Sequence, residues 1–203
     1  FKMSHLQENI IFFNKIAKYY DNVLGMWFNG ILRKLIKEVK IRDNSIILDA
    51  GFGTGNFLKI LSKNGTLKLY GIDISPKMLE IAKSKLKNKS ELNLISVEKI
   101  NYKNKFDYIY STEAFHHYEN QKEAMRNFNF ALKRKGKLVI ADLDFGKILN
   151  WVFHNIEPGN RKMNSSLDFY KLFEKHGFKN IQQKKLGLFV IMTIGEKYLE
   201  RKV

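Results

Sequence analysis

Residues 46–57 read "IILDAGFGTGNF". An apolar run ends in an acid, Asp49, and glycines follow at every second position, Gly51, Gly53 and Gly55. Such a run reads as a buried strand. Glycines placed directly after it let the backbone approach a ligand closely, and the first turn of a following helix offers unpaired amide groups. Strand, glycine turn and helix together make an anion- or nucleotide-binding edge. The dinucleotide fingerprint spaces its glycines as G-x-G-x-x-G. Here the third glycine comes one residue early, and Asp49 stands just before the turn. A carboxylate in that place repels a pyrophosphate and suits a cation.

Working outward, short β-rich runs alternate with helical periods. This argues for a parallel sheet covered by helices. Residues 8–40 read as helical, with Ile11, Phe12, Ile16, Tyr19 and Tyr20 on one face, continued by Trp27, Ile31, Leu32, Leu35 and Ile36. Strands are expected over 45–50, 67–73, 92–97, 106–111 and 136–144. Helices are expected over 54–62, from a Ser75 cap with Pro76 at the first position to about 86, and over 114–132. The stretch 145–164 is irregular, with "KILNWVFHNI" as a short helix. A further helix starts at a serine cap at Ser165 and ends at Gly177. Two strands, 180–186 and 188–197, then join at Gly187 as a hairpin.

Composition narrows the function. The chain has 203 residues and 44% hydrophobic content, enough for one domain with a sizeable core. No apolar run is long enough to span a bilayer, and Glu8 interrupts any signal-peptide layout near residue 1, so a soluble cytoplasmic protein is expected. The chain has no cysteine, which excludes disulfides, thiolate metal sites and cysteine nucleophiles. Adjacent His116 and His117 have no third ligand at a useful spacing, so no metal site is expected. The net charge of +16 attracts polyanions, either RNA or an anionic membrane surface. Lysine outnumbers arginine, and the basic residues are spread along the chain, densest over 83–89 and 133–137. That pattern reads more as a solvated surface than as a dedicated phosphate site.

With these motifs in place, the chain resembles the class I S-adenosylmethionine-dependent methyltransferases over nearly its whole length. "LDAGFGTG" looks like their first motif, "GIDIS" like the second-strand motif, "FDYIYSTEAFHHY" like the fourth-strand motif and "ALKRKGKLVIADLD" like the run into the fifth strand. The N-terminal "IAKYYDNV" is similar to the cap segment of small-molecule members, notably the quinone-biosynthesis methyltransferases. The resemblance implies a Rossmann-like seven-stranded α/β sheet, mostly parallel with a C-terminal antiparallel hairpin. Helices would cover both faces, with an N-terminal helical lid over 1–43 and a cofactor-binding core over 44–203.

It also implies S-adenosyl-L-methionine as cofactor. Asp49, Ala50, Gly51, Gly53, Thr54 and Gly55 would form its first motif, and Tyr20 would lie over the methionine end. Asp73 would bind both ribose hydroxyls, since a carboxylate with two oxygens matches a vicinal diol. Ile74 and Met78 would sandwich adenine or serve as plain core, and Ser111 would stand at the fourth-strand motif. Many relatives end the third strand in an aspartate facing the adenine amino group. Here Ser96 takes that place, followed by Val97, unless the register shifts to make Glu98 the acid. Of the two histidines, His116 falls near the methionine end by resemblance, where it would hold substrate, accept a proton or be purely structural. Asp142 and Asp144 end the fifth strand at the edge where open α/β sheets bind ligands, either facing substrate or capping a loop.

Methyl transfer from a sulfonium is an in-line displacement, so the enzyme must chiefly position an acceptor in a dry site. The "PPY" run of adenine or glutamine amino-group methyltransferases is replaced by "STEAF". Cytosine methylation through a cysteine adduct is impossible without cysteine. A small-molecule or lipid-like acceptor remains, with RNA as the alternative. An inactive methyltransferase-like scaffold is a further alternative, and no obligate protein partner is evident.

Overall fold

The computed structural model describes residues 4–144 and 162–198, with the backbone alone at 23–27. The chain runs α1 (His5–Val39), β1 (Ile46–Ala50), α2 (Asn56–Leu61), β2 (Lys68–Asp73), α3 (Pro76–Leu86), β3 (Glu91–Leu94), β4 (Phe106–Thr112), α4 (Gln121–Ala131), β5 (Leu132–Leu143), α5 (Ser166–Lys175), β6 (Phe178–Lys185) and β7 (Val190–Lys197). The sheet has seven strands in the order β3-β2-β1-β4-β5-β7-β6. β1 to β5 pair in parallel, and β7 pairs antiparallel with both β5 and β6.

Each central strand is buried on both faces, as a parallel sheet requires. Residues alternate across it. Ile47, Tyr108, Tyr110, Val139 and Ala141 pack beneath α1, α2 and α3, with Leu32, Leu35, Phe57, Leu58 and Leu86. Leu48, Ala50, Ile109, Leu138 and Ile140 pack against α4 and α5 through Phe115, Phe128, Phe169 and Phe173. Helices thus cover both faces. The strand order reverses between β1 and β4, and this switch point opens a crevice at the carboxyl ends of the strands.

Element by element, the fold follows the expected alternation, with four differences that have local causes. The expected helix over 114–132 is split. Phe115–His117 forms a 3-10 turn, and α4 begins only at Gln121, where Asn120 Oδ1 accepts the Glu123 amide at 3.1 Å. The break arises because Asp142 Oδ2 takes the His116 amide at 3.0 Å and Glu113 has φ 51. β3 stops at Leu94 because its partner β2 ends at Asp73. α2 starts after Gly55, whose φ of 79 is left-handed and not helical. β5 begins at Leu132, directly after α4 and earlier than expected, with Lys133 Nζ on Asp107 Oδ2 at 2.8 Å. The short helix expected within "KILNWVFHNI" lies outside the described residues. Among the described residues no helix is long and apolar enough to cross a membrane.

The hairpin side of the sheet is tightly packed. A Cβ at Gly195 would lie 2.6 Å from Phe173 Cδ1 and 3.0 Å from Phe178 Cβ. Both rings are buried in the core. Gly195→Ala is therefore expected to destabilise the protein by ~1–3 kcal/mol through overpacking. Thermal denaturation would read this as a lowered Tm. An unchanged Tm would show that the rings can move aside at no cost.

Candidate active site

The crevice at the switch point is a cavity of about 1040 Å³, counting its open mouth. Its floor is the glycine turn. Gly51, Gly53 and Gly55 all have positive φ, at 81, 53 and 79. They serve different ends. A Cβ at Gly51 would come within 2.5 Å of Ala114 Cβ, and one at Gly55 within 3.1 Å of Ala82 and Leu86. These two glycines admit the protein's own neighbouring segments. Gly53 has nothing within 4 Å of its Cβ position and lines the cavity. It is the glycine that leaves open space for a ligand.

Asp73, at the end of β2, holds this floor in place. Its Oδ2 accepts the Gly53 amide and its Oδ1 accepts the Ser75 amide, each at 2.8 Å. Burial raises its carboxyl above the ordinary range, and these amides act in the opposite direction. Each carboxylate oxygen has a second lone pair, so the acid can still receive hydroxyls from the cavity, which it lines.

Asp49 lies beneath the turn, 1% exposed, with neither carboxylate oxygen hydrogen-bonded. Burial, with Asp73's charge added, pushes its carboxyl up to about 8. At neutral pH the acid therefore favours its protonated form.

The roof is α1. Three polar clasps fasten it across the carboxyl edge of the sheet. Asn9 Nδ2 donates to the His117 carbonyl at 2.9 Å. Asn14 Oδ1 accepts from Ser75 Oγ at 2.8 Å and from the Lys77 amide at 3.2 Å. Asp21 Oδ1 accepts from Thr54 Oγ1 at 2.6 Å and Asn56 Nδ2 at 2.8 Å, while Lys85 Nζ lies 2.7 Å from Asp21 Oδ2. Burial pushes the Asp21 carboxyl up, but the bonds from Lys85, Thr54 and Asn56 outweigh it and leave the group below its usual range. These clasps set Leu6, Phe13, Tyr20, Phe28 and Leu32 on the cavity wall. Tyr20 and Phe28 lie parallel, with ring centroids 6.3 Å apart.

Of the residues expected from the sequence, Tyr20, Gly51, Gly53, Thr54, Asp73, Ile74, Met78, Val97 and Glu98 meet on this one cavity. The others stand behind it. Ala50 and Ser111 support Tyr118, whose hydroxyl donates to the Ala50 carbonyl and pairs with Ser111 Oγ, both at 2.9 Å. Gly55 packs on α3. Ser96 precedes the 3-10 turn Val97–Lys99, and it is Glu98 that reaches the wall. His116 is 3% exposed, with Nδ1 2.5 Å from Asp142 Oδ1, and is not part of the wall, whereas His117 is. The pair of bonds to His116 makes Asp142 a cap of the fourth-strand loop, and Asp144 Oδ2 accepts the Ser166 amide at 2.9 Å.

Sequence reasoning passed over Asn9, Asn14, Asp21 and Tyr118, and weighed His117 only as a metal ligand. One signal was available: Asn14 and Asp21 stand seven residues apart, on one face of α1 beside its aromatic stripe.

Comparison with known proteins bears on this geometry. Residues 27–183 match a family model described as a methyltransferase domain. An uncharacterized protein of Methanocaldococcus jannaschii is 32% identical over 92% of this chain and 66% of its own length. The demethylmenaquinone methyltransferase of Thermotoga maritima is 32% identical over 64% of this chain and 59% of its own. The chain thus spans under two thirds of the length of these relatives. In structure, it superposes with a TM-score of 0.80 on Haemonchus contortus phosphoethanolamine N-methyltransferase 2, solved with phosphomonomethylethanolamine and S-adenosylhomocysteine. That similarity, at 15% identity, covers 98% of this chain and 61% of the other and shows a shared fold.

The Asp49 carboxyl generates a pH test. Its pKa is about 8 when folded, against an ordinary value of 3.8 in the unfolded chain. Between these values the folded state holds a proton that the unfolded state has lost, so stability falls as pH rises from about 4 to about 8. D49N removes the titration. Its Tm relative to the natural protein is expected to be higher at pH 9 than at pH 5 by thermal denaturation. A Tm difference constant with pH would contradict the raised pKa.

Proposed function

This chain belongs to the methyltransferase domain family, with S-adenosylmethionine as its methyl donor, and from that premise we propose that it methylates a small, largely apolar acceptor bound beneath α1. The observation that carries this reading is the wall of the cavity. Leu6, Phe13, Phe28 and Leu32 enclose the side facing the lid. Among the described residues, every ionisable acid or base on the wall other than His117 and the tyrosines is a carboxylate: Asp73, Glu98, Glu113 and Glu119. An RNA backbone would meet like charge there, whatever the surface lysines attract. A lipid precursor or other small apolar compound would not.

The residues present fit the donor. Gly53 leaves open space on the floor, Asp73 offers two acceptor oxygens to a ribose diol, and buried Asp49 has unused oxygens near where a cationic ligand would sit. Ile74 and Met78 would flank the base, with Val97 and Glu98 at its edge, and Tyr20 would cover the methionine end. When bound, S-adenosylmethionine supplies a methyl group on a positively charged sulfur, and the leaving thioether is neutral. The chain's own task is therefore to hold the acceptor in line and exclude water, worth up to ~7–11 kcal/mol in favourable cases. The α1 lid performs the exclusion. For an acceptor that must lose a proton, His117 is the wall residue suited to take it, in place of His116, which is held by Asp142.

Two measurements test this. Asp73→Ala is expected to weaken S-adenosylmethionine binding by ~1–3 kcal/mol in calorimetry, through lost diol bonds and a loosened Gly53 turn. Unchanged affinity would refute the role given to Asp73. Incubation of the protein with methyl-labelled S-adenosylmethionine and a cell extract should place label in the organic-soluble small-molecule fraction. Label found in RNA instead would overturn the choice of acceptor.

A further inference from the structure

The two densest basic runs, 83–89 and 133–137, have no use in the account so far. They stand far apart along the chain, yet the fold brings both to one edge of the sheet. The first closes α3 and leads to β3, and the second lies at the start of β5. β1 to β5 run parallel, so the starts of these strands and the ends of the helices between them share the amino edge, opposite the cavity. β6 starts and β7 ends at the same edge, where Phe178 pairs with Lys197. Basic residues that look scattered in the sequence are thus gathered in space.

This edge is grooved between the ends of α4 and α5 and the strands β6 and β7. Three rings that line the groove are exposed: Phe130 at 50%, Tyr170 at 41% and Tyr198 at 52%. Arg126, Lys175 and Lys179 line it beside them, and Lys179 Nζ lies 3.9 Å from the centre of the Tyr198 ring. Arg126 shares its charge with Glu123 on α4. Glu174 is the one acid lining the groove among the described residues. Lys197 also lines it and is buried. Its ammonium donates to the Leu132 carbonyl at 2.7 Å and to Asn104 Oδ1 at 3.0 Å. Both acceptors are neutral, and burial lowers the pKa of Lys197. A buried cation held by neutral oxygens is balanced best by an anion nearby. The bond to Leu132 also sets the 133–137 run, with Arg134 and Lys135 exposed, next to the groove. Helix ends do not account for these cations. A lysine in a last helical turn offsets the partial negative charge there. α4 has no basic residue in its last turn, and α5 has only Lys175.

We propose that this groove binds single-stranded RNA, whose phosphates meet Lys175, Lys179, Arg134 and Lys135 while its bases stack on Phe130, Tyr170 and Tyr198. Aromatic faces beside a cationic track make a platform for single strands. Stacking supplies the hold that lysine, without arginine's fork, does not give on phosphate. An anionic bilayer is flat and would meet the rim lysines without filling a groove. RNA is chosen over DNA because proteins meet RNA chiefly as unpaired strands with their bases unstacked. The inference goes beyond the methyl-transfer reading and does not rest on it. The RNA is held at the far edge, away from the carboxylates of the cavity wall, and is not the methyl acceptor.

The test is fluorescence anisotropy of a short labelled RNA without self-pairing, titrated with the whole chain. Phe130→Ala combined with Tyr198→Ala is expected to weaken binding about tenfold or more. Lys175→Ser combined with Lys179→Ser should reduce the slope of log affinity against log salt by about 1.4, at about 0.7 per phosphate contact. Lys15→Ser combined with Lys18→Ser removes the same charge from the exposed face of α1 and should leave the slope unchanged. All six positions are exposed, and thermal denaturation checks that each variant is folded. Ring removal without loss of affinity, or equal effects from the two lysine pairs, would make binding a property of net charge and overturn the inference. So would absence of RNA binding at low salt, or tighter binding of duplex RNA or of single-stranded DNA of the same sequence. Attachment to phosphatidylserine vesicles in preference to RNA, read by co-sedimentation, would assign the edge to a membrane and overturn it as well.

Discussion

The carboxylate of Asp73 ties the glycine turn to the head of α3. It accepts the amide of Gly53 from the turn after β1 and the amide of Ser75 at the start of α3. Both amides lie outside regular ladders and would otherwise be left unpaired beside the cavity. One acid at the end of one strand thereby shapes the floor and orients the helix that walls it. The acid must be charged to do this well, and it is buried close to a second acid, Asp49. Burial first, and then the charge of Asp73, keeps the proton on Asp49.

The roof obeys a different logic. α1 is amphipathic, and its latter half is anchored in the core by Ile31, Leu32, Leu35 and Val39. Its first half crosses the crevice, where apolar packing alone would not choose one position. Asn9, Asn14 and Asp21 choose it, each by reaching a different segment of the core: the fourth-strand loop, the head of α3 and the glycine turn. Directional bonds set the register of the lid, while apolar side chains between them form the surface an acceptor would touch.

Much of this was legible in residue order. The alternation of apolar runs and helical periods gives seven strands and their covering helices because buried parallel strands and crossover helices have distinct periodicities. The glycine turn between Asp49 and Asn56, and Asp73 at the end of β2, were legible because apolar runs bounded by glycine and aspartate mark where strands end and turns begin. The split between the Phe115–His117 turn and α4 was not legible, since it depends on Asp142, a residue far along the chain, capturing the His116 amide. Nor was the choice between His116 and His117. Adjacent residues look alike in a sequence, and only the Asp142 contact turns one inward and leaves the other on the wall.

Local chemistry along the chain therefore determined the sheet, the glycine floor and the acids around it, because each depends on neighbours within a few residues. Tertiary structure alone decided that Gly53 leaves open space beside the cavity, while Gly51 and Gly55 admit Ala114 and Ala82. It decided, too, that Ala50 and Ser111 brace Tyr118 from behind the wall. Those outcomes depend on distances between segments brought together by folding, and no spacing within a single segment encodes them.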